Sequence, residues 1–490
     1  MAFLRYLFPE EDRLTKIIKR IGKIADQCGL EVYLVGGVIR DKFLGRPTKD
    51  IDIAVVGDAI EFAHKIAYSF RLKRVVEYRE FGTASIPYRG INIEVATARS
   101  EVYRPDSRKP IVFESDLHGD LARRDFTINT LAMPLNEDRI FTLIDPFGGL
   151  RDLNSGLIRT PLDPVTTFSE DPLRILRAIR FATQLGFHIE RSTFNAIREV
   201  KERLSIVSQE RITEELKKII MSPIKPSKGF ILMLQAGLLP LVLPEIDALR
   251  GIDQRDGFHH KDVFYHTMQV LDNISRYTDK FELRFTALVH DIAKPVTKKF
   301  VEGKGWTFHG HNEVAAPIIR NICRRLRLPN KVMEYAVKLT RLHLRPISLA
   351  EEGVTDSAVR RLIVEAGEDL DDLITLCRAD VTSKNPEKVA EYMGNFDRVV
   401  KRVNEVKEKD RLRSFQSPVR GDEIMQICNL QPGPAVGYIK KAIEEAILNG
   451  EIPNTYEAAK DFLLANKDGL LSEFQKSSSD KGQPKKPNSI

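Results

Sequence analysis

Features typical of secreted or membrane proteins are scarce in this sequence. Its 490 residues include four cysteines, which are far apart in the sequence and form no CxxC pair. This pattern excludes zinc or redox chemistry of the CxxC type, and we expect the cysteines to be packing residues. No uninterrupted apolar run is long enough to span a bilayer. The N-terminus lacks the succession of basic lead-in, apolar stretch and cleavage site that marks a signal peptide. We therefore expect a cytoplasmic protein without membrane partners.

The excess of positive charge is also small. Lysine and arginine number 76 and aspartate and glutamate 69, which gives a formal net charge of +7. Such a charge favours a polyanionic partner, but it also fits many ordinary proteins. The length predicts roughly three or four domains, because one hydrophobic core rarely serves so long a chain.

The hydrophobic pattern changes along the chain. We predict an N-terminal helical extension over residues 1–30 and, over 31–155, an α+β domain in which short β-rich runs alternate with helical stretches. Amphipathic helical segments follow almost throughout. Residues 471–490 are polar and lack apolar periodicity, which predicts a disordered tail.

The first motif with chemical meaning is a pair of glycines after an apolar strand. Gly36 and Gly37 lead from EVYLV into a helix-like segment that carries Arg40. Glycines let backbone amides approach a phosphate, and a helix N-terminus beside an arginine favours an anion. The pair alone is typical of an ordinary strand-to-helix turn.

Three acidic residues in strand-like runs strengthen this interpretation. Asp50 and Asp52 alternate along one predicted strand, so both carboxylates lie on one face. Glu94, in the run INIEVAT, is predicted to join them from a neighbouring strand. Three convergent carboxylates can hold the two Mg²⁺ ions of an in-line phosphoryl transfer.

Two further segments supply arginines. Arg123 and Arg124 stand beside Asp125, and the two arginines form a candidate clamp for a triphosphate or a ribose. A later helix carries polar residues three apart, which places them on one stripe: Asp171, Arg174, Arg177 and Arg180. Each pattern by itself is typical of a solvated surface.

In their order and spacing, these segments resemble the class II CCA-adding enzymes (tRNA nucleotidyltransferases) and bacterial poly(A) polymerases. The similarity lies in LVGGVIRD, KDIDIAV, RRDFTINTLA, DPFGG and SEDPLRILRAIRFA, within about the first 250 residues. The resemblance implies a polymerase-β-like nucleotidyltransferase head with a mixed sheet over 31–155 and an all-α neck over 156–250. It also implies addition of CCA to the 3′ end of tRNA from CTP and ATP, with Mg²⁺ as cofactor.

The resemblance assigns a role to most of these residues. Asp50 and Asp52 would bind the catalytic metals, and the arginines at 123 and 124 would touch the triphosphate or sugar. Asp171 and Arg174 would read the base edge. The remaining residues implied in nucleotide binding are Gly36, Gly37, Arg40, Asp125, Arg177 and Arg180.

The base-reading pair also has a chemical rationale of its own. A carboxylate only accepts hydrogen bonds and a guanidinium only donates them, so Asp171 with Arg174 fits a base that offers an amine beside a ring-nitrogen acceptor. Cytosine and adenine both do so. Uracil and guanine present a carbonyl and a protonated ring nitrogen at those positions, so an acceptor would face the Asp171 carboxylate and a donor would face the Arg174 guanidinium.

Histidines concentrate in the middle of the chain, where seven of the ten fall between residues 259 and 343. Imidazole and carboxylate groups from several helices make a divalent-metal site whose bound water can attack a phosphate ester. The spacing resembles the HD phosphohydrolase domain, here over 255–385, and implies His266, His290, Asp291 and Asp380 as ligands of a second divalent metal such as Mn²⁺, Ni²⁺ or Co²⁺. His309 and His311, in FHGHNE, are candidates for additional ligands or substrate contacts. A degenerate domain that serves only as an RNA-binding scaffold is the alternative.

The segment 386–470 is predicted to be a helical C-terminal body. Gly433 and Gly437 flank a helix start that precedes Lys440 and Lys441, a pattern suited to gripping a nucleic-acid backbone or to a plain interhelical loop. The family resemblance implies that this region binds tRNA.

Two other functions remain open at this point. A poly(A) polymerase would share every motif of the head, but the chain has no long basic C-terminal extension, and the segment between Glu94 and Arg123 is long enough for the flexible loop associated with adding the final A. An RNA-binding HD phosphohydrolase with an inactive head is disfavoured by the intact carboxylates.

Overall fold

The computed structural model describes residues 2–48, 50–104, 107–256, 259–302, 305–350, 355–383, 385–410 and 417–479. By their internal contacts, the residues fall into two compact units. The first comprises 1–285 and 321–329, and the second comprises 286–320 and 330–490. The segments expected from the sequence are a finer division, and their boundaries stay predictions.

A mixed six-stranded sheet is the centre of the N-terminal part of the first unit. Its strands lie in the spatial order β3-β4-β5-β2-β1-β8, with β2 and β5 parallel and the other neighbours antiparallel. The strands of this region and the hairpin β6–β7 span β1 (Glu31–Val35), β2 (Asp50–Val56), β3 (Val76–Tyr78), β4 (Thr83–Tyr88), β5 (Ile91–Thr97), β6 (Arg99–Arg104), β7 (Ser107–Glu114) and β8 (Ala132–Pro134). The expected mixed sheet is confirmed.

Strand alternation presents the acidic residues of β2 on one face. Ile51 and Ile53 are buried, whereas Asp50 is exposed and Asp52 partly buried. Burial of each isoleucine stabilises the sheet by about 1.5–3 kcal/mol, which pins the register and therefore the side on which the carboxylates emerge.

Helices cover the sheet and continue beyond it as a helical neck. Gly29 ends α2 in the left-handed conformation, and α2 buries Ile17, Ile18 and Ile21. The helices of this unit span α1 (Ala2–Leu7), α2 (Arg13–Cys28), α3 (Gly37–Phe43), α4 (Ala59–Ser69), α5 (Leu117–Ala122), α6 (Gly149–Asn154), α7 (Pro164–Glu170), α8 (Leu173–Leu185), α9 (Arg191–Val200), α10 (Gln209–Ile220), α11 (Ser227–Ala236), α12 (Leu239–Val242), α13 (Pro244–Asp247) and α14 (Val263–Ile274). Helix α15 (Phe281–Val289) follows, and its first half belongs to this unit.

The second unit is also built mainly of helices. Its C-terminal part has a core of buried apolar residues that includes Ile424, Ile439, Ile443 and Leu463. Its elements span α16 (Lys294–Thr297), β13 (Lys299–Val301), β14 (Gly305–Thr307), α17 (His311–Arg325, whose last residues belong to the first unit), α18 (Asn330–Leu342), α19 (Arg345–Ser348), α20 (Asp356–Ala366), α21 (Leu370–Asp380), α22 (Pro386–Asp410), α23 (Gly421–Cys428), α24 (Pro434–Leu448) and α25 (Tyr456–Ser479). No helix in the described ranges is both long and apolar enough to cross a bilayer.

The structure differs from the sequence-based expectation in three places. Residues 471–479, expected in a disordered tail, continue α25, because Leu471 packs against the C-terminal core and Phe474 contacts the Tyr438 ring at 5.5 Å between centroids. Residues 480–490 lie outside the described part. Much of the segment expected to hold a flexible loop forms the hairpin β6–β7. Short strand pairs also interrupt the helical region: β9 (Leu157–Ile158) with β10 (His188–Ile189), β11 (Asp253–Asp256) with β12 (His259–Asp262), and β13 with β14.

Candidate functional site

A polar cavity of about 730 Å³ lies in the first unit. It brings together predicted residues that are up to 143 positions apart in the sequence, from Gly37 in the GG turn to Arg180 on α8. The predicted residues that line it are Gly37, Arg40, Asp50, Asp52, Arg123, Arg124, Asp125, Asp171, Arg174, Arg177 and Arg180. The cavity therefore joins carboxylates to an unusually dense set of guanidinium groups.

The three predicted acidic residues are neighbours across the β2–β5 ladder. Asp52 pairs in register with Glu94, and Asp50 pairs with Asn92, whose side-chain amide donates to Glu94 Oε1 at 3.1 Å. Burial raises the pKa of Asp52 to about 6; Arg124 opposes this shift, while the Glu94 and Asp50 carboxylates reinforce it. Burial and the two neighbouring carboxylates thus disfavour the ionised form of Asp52, and a set of carboxylate oxygens fits hard divalent cations such as Mg²⁺.

The GG turn has a steric role that the sequence did not reveal. Gly36 adopts φ +71° and ψ −127°, a backbone conformation that requires glycine, and a Cβ atom there would also lie 2.8 Å from Arg124 Nη1. The Gly36 N–H donates to the Leu131 carbonyl at 2.9 Å and is not available to a phosphate. Our expectation of an amide cradle therefore fails at Gly36.

Arg40 is held by contacts on several sides. Its guanidinium forms an ion pair with Asp41, donates to Asn129 Oδ1 at 2.6 Å and lies 5.0 Å from the centre of the Phe181 ring. Asp41 and Asn129 stand in motifs that the sequence had already pointed to, although neither was chosen as a site residue. Their contacts fix a cation at the cavity wall.

The arginine pair at 123 and 124 shares one buried carboxylate. Asp120 forms ion pairs with Arg123 at 2.6 Å and with Arg124 at 2.9 Å. Asp120 lies on α5, and the two arginines follow it at i+3 and i+4, just after the helix ends. Although burial opposes it, these arginines hold the pKa of Asp120 below its usual range. Sequence reasoning missed Asp120, and the spacing in DLARR was the signal that could have found it.

Asp125 faces protein partners. Its carboxylate pairs with Arg177 at 2.6 Å and accepts from Asn129 Nδ2 at 2.9 Å. Burial would raise the pKa of Asp125, but Arg177 and the hydrogen bonds lower it to about 2. Asp125 therefore orients Arg177, and its direct contact with a nucleotide stays a prediction.

Asp171 and Arg174 border the cavity at the start of α8. Arg174 is buried, and its guanidinium donates to the carbonyls of Arg123 at 2.6 Å and Thr167 at 3.2 Å. Asp171 lies 3.7 Å from Arg211, a residue of α10 that also lines the cavity. No motif in the sequence around Arg211 indicated this contact.

The end of the arginine stripe is anchored by α10. Arg180 pairs with the buried Glu215 at 2.6 Å and stacks over Phe181 at 4.0 Å from its centre. Burial lowers the pKa of Arg180, and Glu215 opposes the shift. Glu215 was also missed from the sequence, because its partner is 35 positions away.

A second polar cluster lies in the second unit. His290 Nε2 is 3.3 Å from Asp291 Oδ2 and 3.3 Å from Asp380 Oδ1. Asp291, His311 and His343 each offer a ligand atom within 4.8 Å of the others. Three of the predicted ligands are thus together; His266 lies buried on α14 of the first unit, and its part in the set stays a prediction.

Two histidines complete this cluster. His311 had been a candidate for an additional ligand, and His343 had been counted in the histidine-rich region but not chosen. His309 is exposed. Lys294, the first residue of α16, donates to Asp291 Oδ2 at 2.6 Å and could have been noticed in HDIAK.

The histidine rings are oriented for metal binding. Nδ1 of His290, His311 and His343 lies 2.6–2.9 Å from the carbonyl three residues earlier, which favours a proton on Nδ1 and leaves Nε2 as the acceptor. Nε2 of His311 then faces Nε2 of His343 at 3.4 Å. Two facing lone pairs are unfavourable unless a cation or proton lies between them, so this donor set fits a divalent metal.

Electrostatics in the cluster agree with that geometry. Burial would lower the pKa of His290, but Asp291 and Asp380 raise it to about 10. Burial and the neighbouring His290 lower the pKa of His343 to about 4. The carboxylates therefore attract positive charge at one end of the cluster.

The predicted nucleic-acid-binding glycines of the C-terminal body are exposed. Gly433 precedes α24 in an extended conformation, and Gly437 is in its first turns. Lys441 lies 3.8 Å from Glu445, which partly neutralises it. Contact of this helix start with RNA stays a prediction.

Three protein families match the chain in succession. "Poly A polymerase head domain" matches residues 32–159, "Probable RNA and SrmB- binding site of polymerase A" matches 186–250, and "HD domain" matches 263–385. The first match includes the cavity-lining residues of α3, of β2 and of the segment from Arg123 to Asn129, and the second includes Arg211 of α10. Helix α8 lies between these two matches, and the third match includes the histidine cluster.

Several known proteins are similar over most of their length. The A-adding tRNA nucleotidyltransferase of Deinococcus radiodurans is 34% identical over 352 residues, which are 70% of this chain and 78% of that protein. The multifunctional CCA protein of Tolumonas auensis is 33% identical over 74% of this chain and 87% of its own. The fold resembles the Bacillus stearothermophilus CCA-adding enzyme in complex with CTP, with a TM-score of 0.67, 23% identity, and coverage of 94% of this chain and all of that one.

Proposed function

Since the chain belongs to the tRNA nucleotidyltransferase family with a fused HD domain, we propose that it adds CCA to the 3′ end of tRNA from CTP and ATP. The observation that carries the proposal is the cavity in which Asp50 and Asp52 stand opposite the arginines of α8. Nucleotidyl transfer needs a metal-binding carboxylate set and cations for the triphosphate in one place, and this cavity supplies both.

In this proposal the residues divide the work. Asp50, Asp52 and Glu94 hold Mg²⁺, which when bound activates the attacking hydroxyl and stabilises the leaving pyrophosphate. Arg123 and Arg124, braced on Asp120, neutralise the triphosphate. Because their shared carboxylate is buried, the two guanidinium groups need little reorganisation when the nucleotide arrives.

Base choice falls to the pair at the start of α8. The Arg174 guanidinium has five N–H groups, and the carbonyls of Arg123 and Thr167 hold it in one orientation while leaving other donors for a base. Asp171 supplies the acceptor beside it. The pair favours cytosine and adenine over uracil and guanine, as required for CCA.

Addition of only the final A is the second candidate, because the relative from Deinococcus radiodurans is an A-adding enzyme. Two tRNA substrates separate the alternatives: one without CCA and one that already ends in CC. A CCA-adding enzyme uses CTP on the first and ATP on the second. An A-adding enzyme uses ATP on the second and leaves the first unextended, and a poly(A) polymerase adds long A tracts to both.

We also propose that the histidine cluster of the second unit is a metal-dependent phosphohydrolase. His290, His311 and His343 with Asp291 and Asp380 would hold a divalent metal, which when bound supplies a nucleophilic hydroxide. The test is hydrolysis of phosphate monoesters and 2′,3′-cyclic nucleotides after chelation and re-addition of Mg²⁺, Mn²⁺, Ni²⁺ or Co²⁺. Absence of hydrolysis with every metal would support the scaffold alternative.

A further inference from the structure

A second cavity in the first unit is bordered by arginines and aromatic rings. Its volume is about 590 Å³, and it lies among α2, the end of α4 and the turn between β4 and β5. The residues that line it are Arg20, Phe70, Arg71, Leu72, Tyr88 and Arg89. We call it the arginine pocket.

The arginines of this pocket lack the carboxylate partners seen elsewhere in the same unit. Within the described residues, none of Arg20, Arg71 and Arg89 forms an ion pair, and no acidic residue lines the pocket. By contrast, Arg40, Arg123 and Arg124 are each paired with an aspartate. Three unneutralised guanidinium groups around one cavity repel each other and attract an anion.

Aromatic rings and backbone groups hold two of the cations in place. The Arg20 guanidinium lies 4.3 Å from the centre of the Phe70 ring and donates to the carbonyl and hydroxyl of Ser69. Arg89 lies 5.5 Å from the Tyr88 ring, which meets Phe70 edge to face at 4.9 Å. Cation–π contacts orient these groups without neutralising their charge.

Arg71 occupies a position that normally calls for glycine. It follows α4 with φ +56°. A Schellman motif ends this helix: the Arg71 N–H donates a hydrogen bond to the Tyr68 carbonyl, and the Leu72 N–H donates one to the Ala67 carbonyl. Helix α2 ends in the same motif with Gly29. An arginine in the left-handed region is strained, so its presence here is not explained by the needs of the turn.

Arg89 shows the same conflict in a different turn. Arg89 and Gly90 are the two central residues of the β4–β5 hairpin, and both have positive φ, as in a type I′ turn that favours Asn-Gly. Arg13 donates to the Arg89 carbonyl at 2.6 Å and fixes the turn on α2. Two strained arginines therefore border one cavity.

The pocket lies at the same edge of the sheet as the predicted catalytic carboxylates. In the parallel β2–β5 pair, Asn92 is opposite Asp50, so the Arg89–Gly90 turn lies just beyond the edge at which β2 begins. Gly90 is two residues before Asn92, which corresponds to about 7 Å along the strand. A polyanion that reaches Asp50 from this side passes the turn.

We propose that the arginine pocket binds a backbone phosphate of the RNA substrate, an inference that rests on the proposed RNA substrate but not on which nucleotide is added. Arg71 and Arg89 donate to the phosphate, and Arg20 supports it from α2. Turn positions that favour glycine or asparagine carry arginine because the contact with RNA outweighs the local strain.

The test compares Arg71→Gly, Arg89→Asn and the double variant with the unchanged protein. Both substitutions suit the backbone, so Tm is unchanged or raised. Binding of tRNA at physiological salt weakens roughly tenfold in the double variant, and the magnitude of the slope of log K against log salt falls by about 0.8, because one phosphate contact is lost. At saturating tRNA, kcat is unchanged.

Arg327→Gly is the matched control. Arg327 follows α17 with φ +51° in the same motif, but it is paired with Glu210. RNA affinity is expected to stay the same. Unchanged RNA affinity and salt slope in the double variant, or an equal loss of affinity in the control, would overturn the proposal that the arginine pocket binds RNA. If the protein bound RNA through the pocket but did not extend it, the proposed function would be overturned instead.

Discussion

At the scale of single residues, the carboxylates of β2 make the sharpest prediction. Asp52→Asn keeps the shape of the side chain but removes a metal-binding charge. Loss of several kcal/mol of transition-state stabilisation should lower nucleotide addition roughly 10³-fold. The measurement is incorporation of labelled nucleotide into tRNA, with circular dichroism and tRNA binding as checks that the fold is intact. Appreciable residual incorporation would reject the metal assignment.

Base discrimination depends on two other residues. Asp171→Ala or Arg174→Ala removes one good hydrogen bond to the base, which costs about 1–3 kcal/mol, so discrimination against UTP and GTP should fall tenfold or more. Ratios of kcat/KM for the four nucleotides measure it. Arg211→Ala is the matched control, because it removes the ion-pair partner of Asp171 and leaves the donor and acceptor pattern intact. An equal loss for all four nucleotides would show that the pair only positions α8.

A pH dependence follows from Asp125. Its pKa falls from 3.8 to about 2 on folding, because Arg177 and Asn129 favour the ionised form. A depressed carboxyl pKa stabilises the fold above pH 4, and the contribution, roughly 2 kcal/mol, is lost as the pH falls from about 4 to 2. Asp125→Asn lacks this term, so the difference in unfolding free energy between the two proteins should shrink over that interval. A constant difference would contradict the assignment.

At the scale of secondary-structure elements, one buried arginine ties helix ends together. Arg284, in α15, is 1% exposed and donates to the carbonyls of Ser222 after α10 and Ser275 after α14, at 3.0 Å each. Together with its hydrogen bond to the Ile220 carbonyl at 3.3 Å, it thereby satisfies backbone acceptors at and just beyond the C-terminal ends of these helices.

Arg284→Met should therefore destabilise the first unit by about 3–5 kcal/mol, since buried acceptors lose a charged donor. Urea unfolding followed by circular dichroism measures the change. Arg276→Met, a substitution on the exposed loop after α14, is the control and should cost little. Equal stability of the two variants would contradict the role of Arg284.

At the scale of the whole molecule, the two chemistries should be separable. The double variant His290→Ala, Asp291→Ala removes two of the clustered ligands in the second unit, whereas the predicted catalytic carboxylates lie in the first. Hydrolysis of phosphate esters should be lost, whereas nucleotide addition should be retained to within about twofold. The reason is that the histidine cluster and the cavity with the catalytic carboxylates share no residues. Parallel assays on one preparation provide the comparison. Loss of both activities would mean that the clusters are not independent.

The sequence was sufficient wherever the information is local. Period-two alternation placed Asp50 and Asp52 on one face of a strand, and the mixed-sheet head with a helical remainder is confirmed. Spacing of three placed Arg174, Arg177 and Arg180 on one helix, whereas Asp171, expected on the same helix, precedes it in an extended conformation. Such patterns follow from backbone geometry, which is the same in every protein.

Only the tertiary structure decided which elements meet. It brought Arg211 to Asp171, Glu215 to Arg180 and His343 to His311, and it gave the Gly36 amide to Leu131 instead of a ligand. It also ordered the helix that carries Phe474, because a contact with Tyr438 compensates for weak local periodicity. These contacts depend on burial and on groups far apart in the chain, whereas sequence spacing encodes only neighbours along one helix or strand.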